Sequence, residues 1–321
     1  MKMKLLAALC AAMIAVSGSV LAQTVSIGTL NQGSVFHTMG SVISRVARDT
    51  EDLNVVVQPN GGTFVMMSAV DGGFSDFAIN DVNDVIAALE GLDEHEGSPM
   101  ENLRVVLTIA PLPMGLIVSD DSGITSAEDL RGQRLPSGWS AFPLANSHVE
   151  AVLAASGMTM EDVDPVPTTG LIRAADDFVA GRLDATYFAI GAPKVAEMNA
   201  ALGGIRYLPV PDTPAALEAV QAVRPAFYIT TVPPLDHLAG INEPTPLVTW
   251  DAVLLAGADV PDDTVYAMVR SIMENRDALV AAYPPFNSFR LEAAARQHPV
   301  VEYHPGAIRY YQEAGVWPAS E

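Results

Sequence analysis

The sequence predicts an α/β protein with mostly parallel sheets and helices on their faces. Short apolar strand candidates alternate with segments of helical apolar spacing along almost the whole chain. Gly, Asn, Asp and Ser stand at nearly every changeover, where turns and helix caps require them. No simple internal repeat organises this alternation.

Taken in order, Val25 to Thr29 reads as a first strand, followed by a polar turn and a helix from Ser34 to Arg48 with Val35, Met39, Val42, Ile43 and Val46 on one face. Leu53 to Gln58 is a second strand, ended by the turn Pro59-Asn60-Gly61-Gly62. Thr63 is placed to cap the helix Phe64 to Val70. A third strand, Phe74 to Ile79, runs into Asn80-Asp81, either of which can cap the helix Val82 to Leu89. After a charged loop, Leu103 to Ile109 and Met114 to Val118 form a strand that Pro111 and Pro113 should interrupt. Such a break suits a crossing between domains, and a second α/β region begins there. It contains helices near 144–156, 171–180 and 193–201, and strands at Val163 to Val166, Leu183 to Ile190, Ile205 to Val210 and Ala226 to Val232. Pro246 to Gly257 is strand-like, Thr264 to Glu274 is an amphipathic helix, and Phe289 to Tyr311 is helical around a break at His304-Pro305-Gly306.

The N-terminus has the form of an export signal. Lys2 and Lys4 precede the apolar run Leu5 to Val16, and Val20-Leu21-Ala22 fits a small-residue cleavage site. Cleavage after residue 22 removes Cys10, the one cysteine of the chain, so the exported product is held together by its core and not by disulfides. Later apolar runs fall short of membrane-span length, which places the product in the periplasm.

Charge and motifs exclude several function classes. A formal net charge of −21 disfavours nucleic acid and anionic lipid as partners. The spacing of Gly28, Gly33 and Gly40 does not fit the dinucleotide fingerprint, and neither a P-loop nor a nucleophile elbow occurs. The six histidines are scattered without metal-ligand spacing, so no metal and no cofactor is expected. No positioned nucleophile or base stands out, so the chain is expected to bind and not to catalyse.

Four strand-to-helix junctions carry the binding reading: Gly28 to Ser34, Asn60 to Thr63, Asn80 to Val82, and Ser137 to Ser140. In α/β sheets such ends converge on one crevice, and helix starts present free N–H groups and positive dipole ends there. Phe36, Trp139, Phe142 and Phe188 can supply apolar walls. His37 is either a ligand contact or a helix-surface residue; Asp81 is either a cap or an acceptor for a ligand ammonium. Arg173, Lys194, Arg206 and Arg224 are rare bases, any of which could neutralise an anion or pair with a surface carboxylate.

Several stretches together resemble the TAXI-type solute receptors of tripartite ATP-independent periplasmic (TRAP) transporters. They are IGTLNQGSVFHTMG (27–40), QPNGGTFVMM (58–67), FSDFAINDV (74–82), DDSGITSAEDLRGQRLPSG (120–138), GRLDATYFAIGAPKVAE (181–197) and YHPGAIRYYQEAG (303–315). The resemblance implies a two-lobed periplasmic binding protein fold of type II character that closes about a hinge. One lobe would comprise residues 23–111 plus about 235–321, the other 112 to about 234. It also implies a monomer that captures a small organic acid or amino acid and delivers it to a membrane TRAP permease driven by an ion gradient. Leu30, Asn31, Gln32, Ser34, Phe36, His37, Gly62, Thr63, Asn80, Asp81 and Val82 would line the first lobe. Ser137, Trp139, Ser140, Phe142, Phe188, Gly191 and Pro193 would face them. Relatives of this kind take glutamate or 2-oxoglutarate. Here Leu30-Asn31-Gln32, Phe36-His37, Trp139 and Phe142 replace a turn richer in glycine and hydroxyls, which favours a monocarboxylate or an acid with an apolar part. A sensing module feeding a membrane kinase, or a hydrolase or lyase in the same cleft, are the competing readings.

Overall fold

A computed structural model describes residues 24–51, 53–298 and 300–318; the export signal expected at residues 1–22 lies outside them. In chain order the elements are β1 (Thr24–Leu30), α1 (Val35–Glu51), β2 (Asn54–Asn60), α2 (Thr63–Asp71), β3 (Phe77–Asp81) and α3 (Val82–Glu90), then β4 (Leu103–Ser119) and β5 (Arg134–Ser137). There follow α4 (Ala145–Ala155), β6 (Asp164–Pro167), α5 (Leu171–Val179), β7 (Thr186–Ala189), α6 (Pro193–Leu202), β8 (Ile205–Tyr207), α7 (Pro214–Val223) and β9 (Tyr228–Val232). β10 (Thr245–Gly257), α8 (Asp262–Met273), α9 (Arg276–Ala282), α10 (Leu291–Ala294) and α11 (Pro305–Glu313) complete the chain.

The main sheet is mixed. Its strands run β2-β1-β3-β10-β4-β7, with β9 beside β10 and β8 beside β4. β1 pairs in parallel with β2 and β3, whereas β10 is antiparallel to β3, β4 and β9. β5 and β6 form a separate parallel pair. Two long strands join two α/β halves. β10 and β4 pair from Gly257↔Leu103 to Val248↔Met114. At its C-terminal end β10 is flanked by β3; at its N-terminal end, Thr245 to Thr249, by β9. β4 likewise takes β7 and β8 as partners only from Met114 onward. Register shifts at Ala252/Val253 and Leu254/Leu255 mark bulges just short of the changeover.

Pro111 and Pro113 do not interrupt β4, contrary to the expectation from sequence. The Pro113 carbonyl accepts the Ile190 N–H at 3.2 Å. In a strand a residue's nitrogen and carbonyl point to the same side, so both ring nitrogens face that edge, away from β10. Along that edge β4 gains a strand partner only at Met114, and so no ladder bond is lost.

Local sequence sets the helix starts that matter. Ser34 caps α1 by accepting the His37 N–H at 3.1 Å, and Asp81 caps α3 by accepting the Asn83 N–H at 2.8 Å. α2 differs: Gly62 is its N-cap, and Thr63 lies within the first turn with its hydroxyl released from capping. β3 begins three residues later than expected because Phe74 and Ser75 N–H groups turn back onto Ala69 O and leave Phe74 exposed. That shift places Asn80 and Asp81 on the strand end itself. The C-terminal segment returns to β4, where Glu302 O and His304 N bracket Val105. Ile27, Phe77, Ile79, Leu107 and Leu254 fill the core of the β1–β3 half under α1; each is wholly buried.

Candidate functional site

The halves face each other across a cleft with two connected chambers. The outer chamber, of 290 Å³, is walled by Leu30, Asn31 and Ser34 from the β1–α1 turn and Gly61 from the β2–α2 turn. Opposite stand Ala141, Phe142 and the run Thr169 to Arg173, with Asp176 at the rim. The starts of α1, α2 and α5 thus converge, each contributing first-turn N–H groups and the positive end of a helix dipole. Of the four bases singled out from sequence, Arg173 alone lines a chamber. It pairs with Asp177 at 2.8 Å, but Asp177 is also held by Arg182, so Arg173 is not needed to neutralise it. Lys194 is taken by Asp176 and Glu197, Arg206 by Asp120, and Arg224 by Asp93.

The inner chamber is small, with 20 Å³ of free volume, room for about one water. Leu30, Ser34, Phe142 and Leu171 line both chambers and so connect them. Its walls are apolar, from Phe36, Leu112, Met114, Leu144, Phe188 and Trp250; its polar groups are Ser34, Thr63, Asp81 and His148. The Thr63 hydroxyl is buried and has no hydrogen-bond partner among the described residues.

Asp81 and His148 join the halves at the base of this chamber. His148 Nε2 lies 2.8 Å from Asp81 Oδ2, and both residues are 1% exposed. The other Asp81 oxygen accepts the backbone and side-chain N–H groups of Asn83 at 2.8 and 2.9 Å. Both carboxylate oxygens are thus engaged within the protein, one by Asn83 as a helix cap and the other beside His148. Aromatic rings hold the imidazole in place. Trp250 stacks on it at 5.6 Å and 21°, while Tyr187 and Phe227 tilt against it at 5.6 and 5.3 Å. Trp250 is held in turn by the edge of Phe36 at 5.8 Å. Burial pushes the Tyr187 hydroxyl well above its ordinary value, so it remains a neutral phenol.

Two backbone contacts show the halves closed on one another. The Lys194 N–H donates to Gly33 O at 3.2 Å. Gly62 lies so close to Ala141 that a Cβ there would stand 1.7 Å from the Ala141 carbonyl oxygen.

Of the residues expected at the site, Leu30, Asn31, Ser34, Phe36, Thr63, Asp81, Phe142 and Phe188 line one or both chambers. Gly62 borders the cleft through its contact with Ala141. Gln32, His37, Asn80, Val82, Ser137, Trp139, Ser140, Gly191 and Pro193 lie outside both linings. Gln32 is exposed in its turn, and Asn80 and Val82 are buried behind the wall. Trp139, at φ 34°, is turned wholly into the interior. Gly191 instead binds the Tyr283 hydroxyl through its carbonyl at 2.8 Å. Sequence reasoning missed His148, Trp250, Leu171 and the Thr169-Gly170 turn. The last had a readable signal, a Thr-Thr-Gly sequence between a strand and a helix. Neither chamber brings three metal-ligating side chains together among the described residues; the group that does so, Asp84, Glu94 and His95, lies elsewhere.

Solved structures share this architecture. One described as a periplasmic transporter superposes with a TM-score of 0.56 at 17% identity, covering 82% of this chain and 84% of that one. A protein from Bordetella bronchiseptica RB50 gives 0.54 at 15% identity over 91% and 98% of the two chains. The alkanesulfonate-binding protein SsuA from Xanthomonas axonopodis pv. citri, bound to MOPS, gives 0.50 at 16% identity over 91% and 90%. These likenesses show that the chain has the two-lobed α/β fold of the type II periplasmic binding protein kind. The family model matching residues 27–315 is that of the NMT1-like family, and to that family the chain belongs.

Proposed function

We propose that this protein is an extracytoplasmic receptor that captures a small carboxylate-bearing solute, an organic acid or amino acid, and delivers it to a TRAP permease for ion-gradient-driven uptake. The observation that carries the reading is the two-part cleft, whose outer chamber gathers three helix starts and Arg173. Its inner chamber is apolar except for four polar residues. An anionic head group would take the outer chamber, where N–H donors and a guanidinium meet it. The carbon frame would lie against Leu30, Phe142 and Leu171, the apolar residues that the outer chamber shares with the inner one. With Asp81 satisfied by Asn83 and His148, no free carboxylate remains in the inner chamber to hold a ligand ammonium. That favours an organic acid with an apolar part over an amino acid.

The two crossings between lobes would fall at Pro111–Pro113 on β4 and Thr249–Asp251 on β10, where the strands exchange partners. On this reading the second would lie later than the position near 235 expected from sequence, since β9 pairs with residues 245–249 and Tyr207 N–H donates to Gly240 O. Closure about these strands excludes water and strengthens the bonds to the anion, and a permease would read the closed surface. In this scheme the protein is exported, acts as a monomer and performs no chemistry on its cargo.

Thermal shift against a panel of mono- and dicarboxylates, keto acids and amino acids tests the reading. A specific ligand at a hundred times its Kd adds about 2.7 kcal/mol to stability. A panel in which no carboxylate moves the melting point would refute the ligand class.

A further inference from the structure

Asp84, Glu94 and His95 offer one ligand atom each, and the three atoms lie within 4.8 Å of one another. The sequence hides the group because Asp84 on helix α3 and Glu94 in the turn at Asp93–His95 are ten residues apart and come together only in the fold. Asp84 is wholly buried and His95 is 1% exposed. Their one contact, His95 Nε2 to Asp84 Oδ1, is 3.3 Å, long for a charge-assisted hydrogen bond. It matches the edge of a tetrahedron about a metal with bonds of about 2.0–2.2 Å, which is about 3.4 Å.

The polar atoms around this contact are left without protein partners. Asp84 Oδ2, Glu94 Oε1 and His95 Nδ1 are all buried, and none has a hydrogen-bond partner among the described residues. Two carboxylates share this space, and burial together with the Asp84 charge pushes the Glu94 carboxyl above its ordinary value. Arg224, the nearby guanidinium, offsets the charge on Glu94 only in part: its terminal nitrogens are engaged by Asp93 and by Ser147 at 2.7 Å, and its buried Nε makes no hydrogen bond to the group among the described residues. Phe64 stacks on the imidazole at 5.2 Å and 23°, which fixes its plane.

We propose that Asp84, Glu94 and His95 bind a first-row divalent cation of the zinc type, with water as the remaining ligand. One imidazole and two carboxylates form a donor set suited to such an ion, and partly exposed Glu94 gives it a way in. The ion ties the turn Asp93–His95 to α3. Since Asp93 in that turn holds Arg224 of the opposite half, occupancy also orders a contact across the halves.

Untagged protein stripped with chelator is titrated with Zn2+ by calorimetry and with Co2+ by visible absorption. The expected result is one equivalent of Zn2+ bound at micromolar concentration or below, a higher melting point, and a Co2+ spectrum of tetrahedral type. His95→Gln should weaken Zn2+ binding at least a hundredfold and Glu94→Gln at least tenfold. Glu94 is only half buried, so Glu94→Gln decides the matter if His95→Gln does not fold. Absence of stoichiometric Zn2+ uptake by the parent protein, or equal uptake by Glu94→Gln, overturns the site; the latter would mean scattered binding by surface carboxylates.

Discussion

Gly62→Ala should cripple solute capture while leaving the fold intact. In the closed structure the added Cβ would stand 1.7 Å from the Ala141 carbonyl oxygen, against a C···O contact distance of about 3.3 Å. The obstacle is backbone, so no side chain can swing aside, and the halves must separate by roughly 1.6 Å at this point. An opening of that size breaks the Lys194 N–H bond to Gly33 O, now 3.2 Å, and the Asp81–His148 bond, now 2.8 Å. A neutral hydrogen bond contributes about 0.5–1.5 kcal/mol and one to a charged group about 1.5–3 kcal/mol. Together they set a penalty of about 2–4.5 kcal/mol on closure, a weakening of roughly 30- to 2,000-fold. With the halves apart Gly62 would face open cleft, so the ligand-free melting point should hardly move. Gly61→Ala is the matched control, because its Cβ would meet Ala141 Cβ at an ordinary 3.5 Å. Calorimetric titration with the ligand from the carboxylate panel gives both affinities. Equal affinities for Gly62→Ala and the parent protein, or equal losses in both variants, would refute the closure argument.

Further outcomes follow from individual side chains. Arg173→Gln should weaken an anionic solute about tenfold and flatten the salt dependence of its binding, while Arg182 keeps Asp177 paired and the melting point in place. Thr63→Val removes a buried hydroxyl that has no partner among the described residues, so it should leave ligand-free stability unchanged or slightly raised and cost about 1–2 kcal/mol of solute affinity. Trp139→Ala should instead destabilise the protein by about 3–5 kcal/mol, seen in denaturant titration, with unchanged affinity in the molecules that remain folded. Burial holds the His298 and His304 imidazoles below their ordinary value of about 6.5, so the folded state binds fewer protons there than the unfolded state. Their contribution is intact above that pH and is lost as pH falls below it. His304→Asn keeps an acceptor for the Gly306 N–H and should reduce the fall in melting point between pH 7 and 5.

What the sequence made legible was local. Ser34 and Asp81 cap their helices as their positions at strand-to-helix junctions suggest. Each depends on neighbours a few residues away. The site's centre is not of that kind. Asp81 and His148 are separated by 67 residues, and nothing along the chain pairs a cap residue with a histidine on the buried face of a distant helix. Trp139 follows Gly138 in a tight turn and could face either way; the backbone turns it into the interior. Pro111 and Pro113 read as a break because only the sheet reveals which edge of β4 lacks a neighbour. The Asp84–Glu94–His95 group was invisible for the same reason: its spacing exists in the fold and not in the sequence.

The central claim is that the cleft captures an intact small acid between two closing halves. Native mass spectrometry of protein isolated from the periplasm, followed by release and identification of whatever it carries, tests it most directly. A one-to-one adduct with a carboxylate of modest size is the expected result. The adduct should be recovered chemically unchanged after prolonged incubation and should be lost in Gly62→Ala. A parent protein that carries no acid and takes up none when offered the panel, or one that returns its cargo chemically altered, would contradict it.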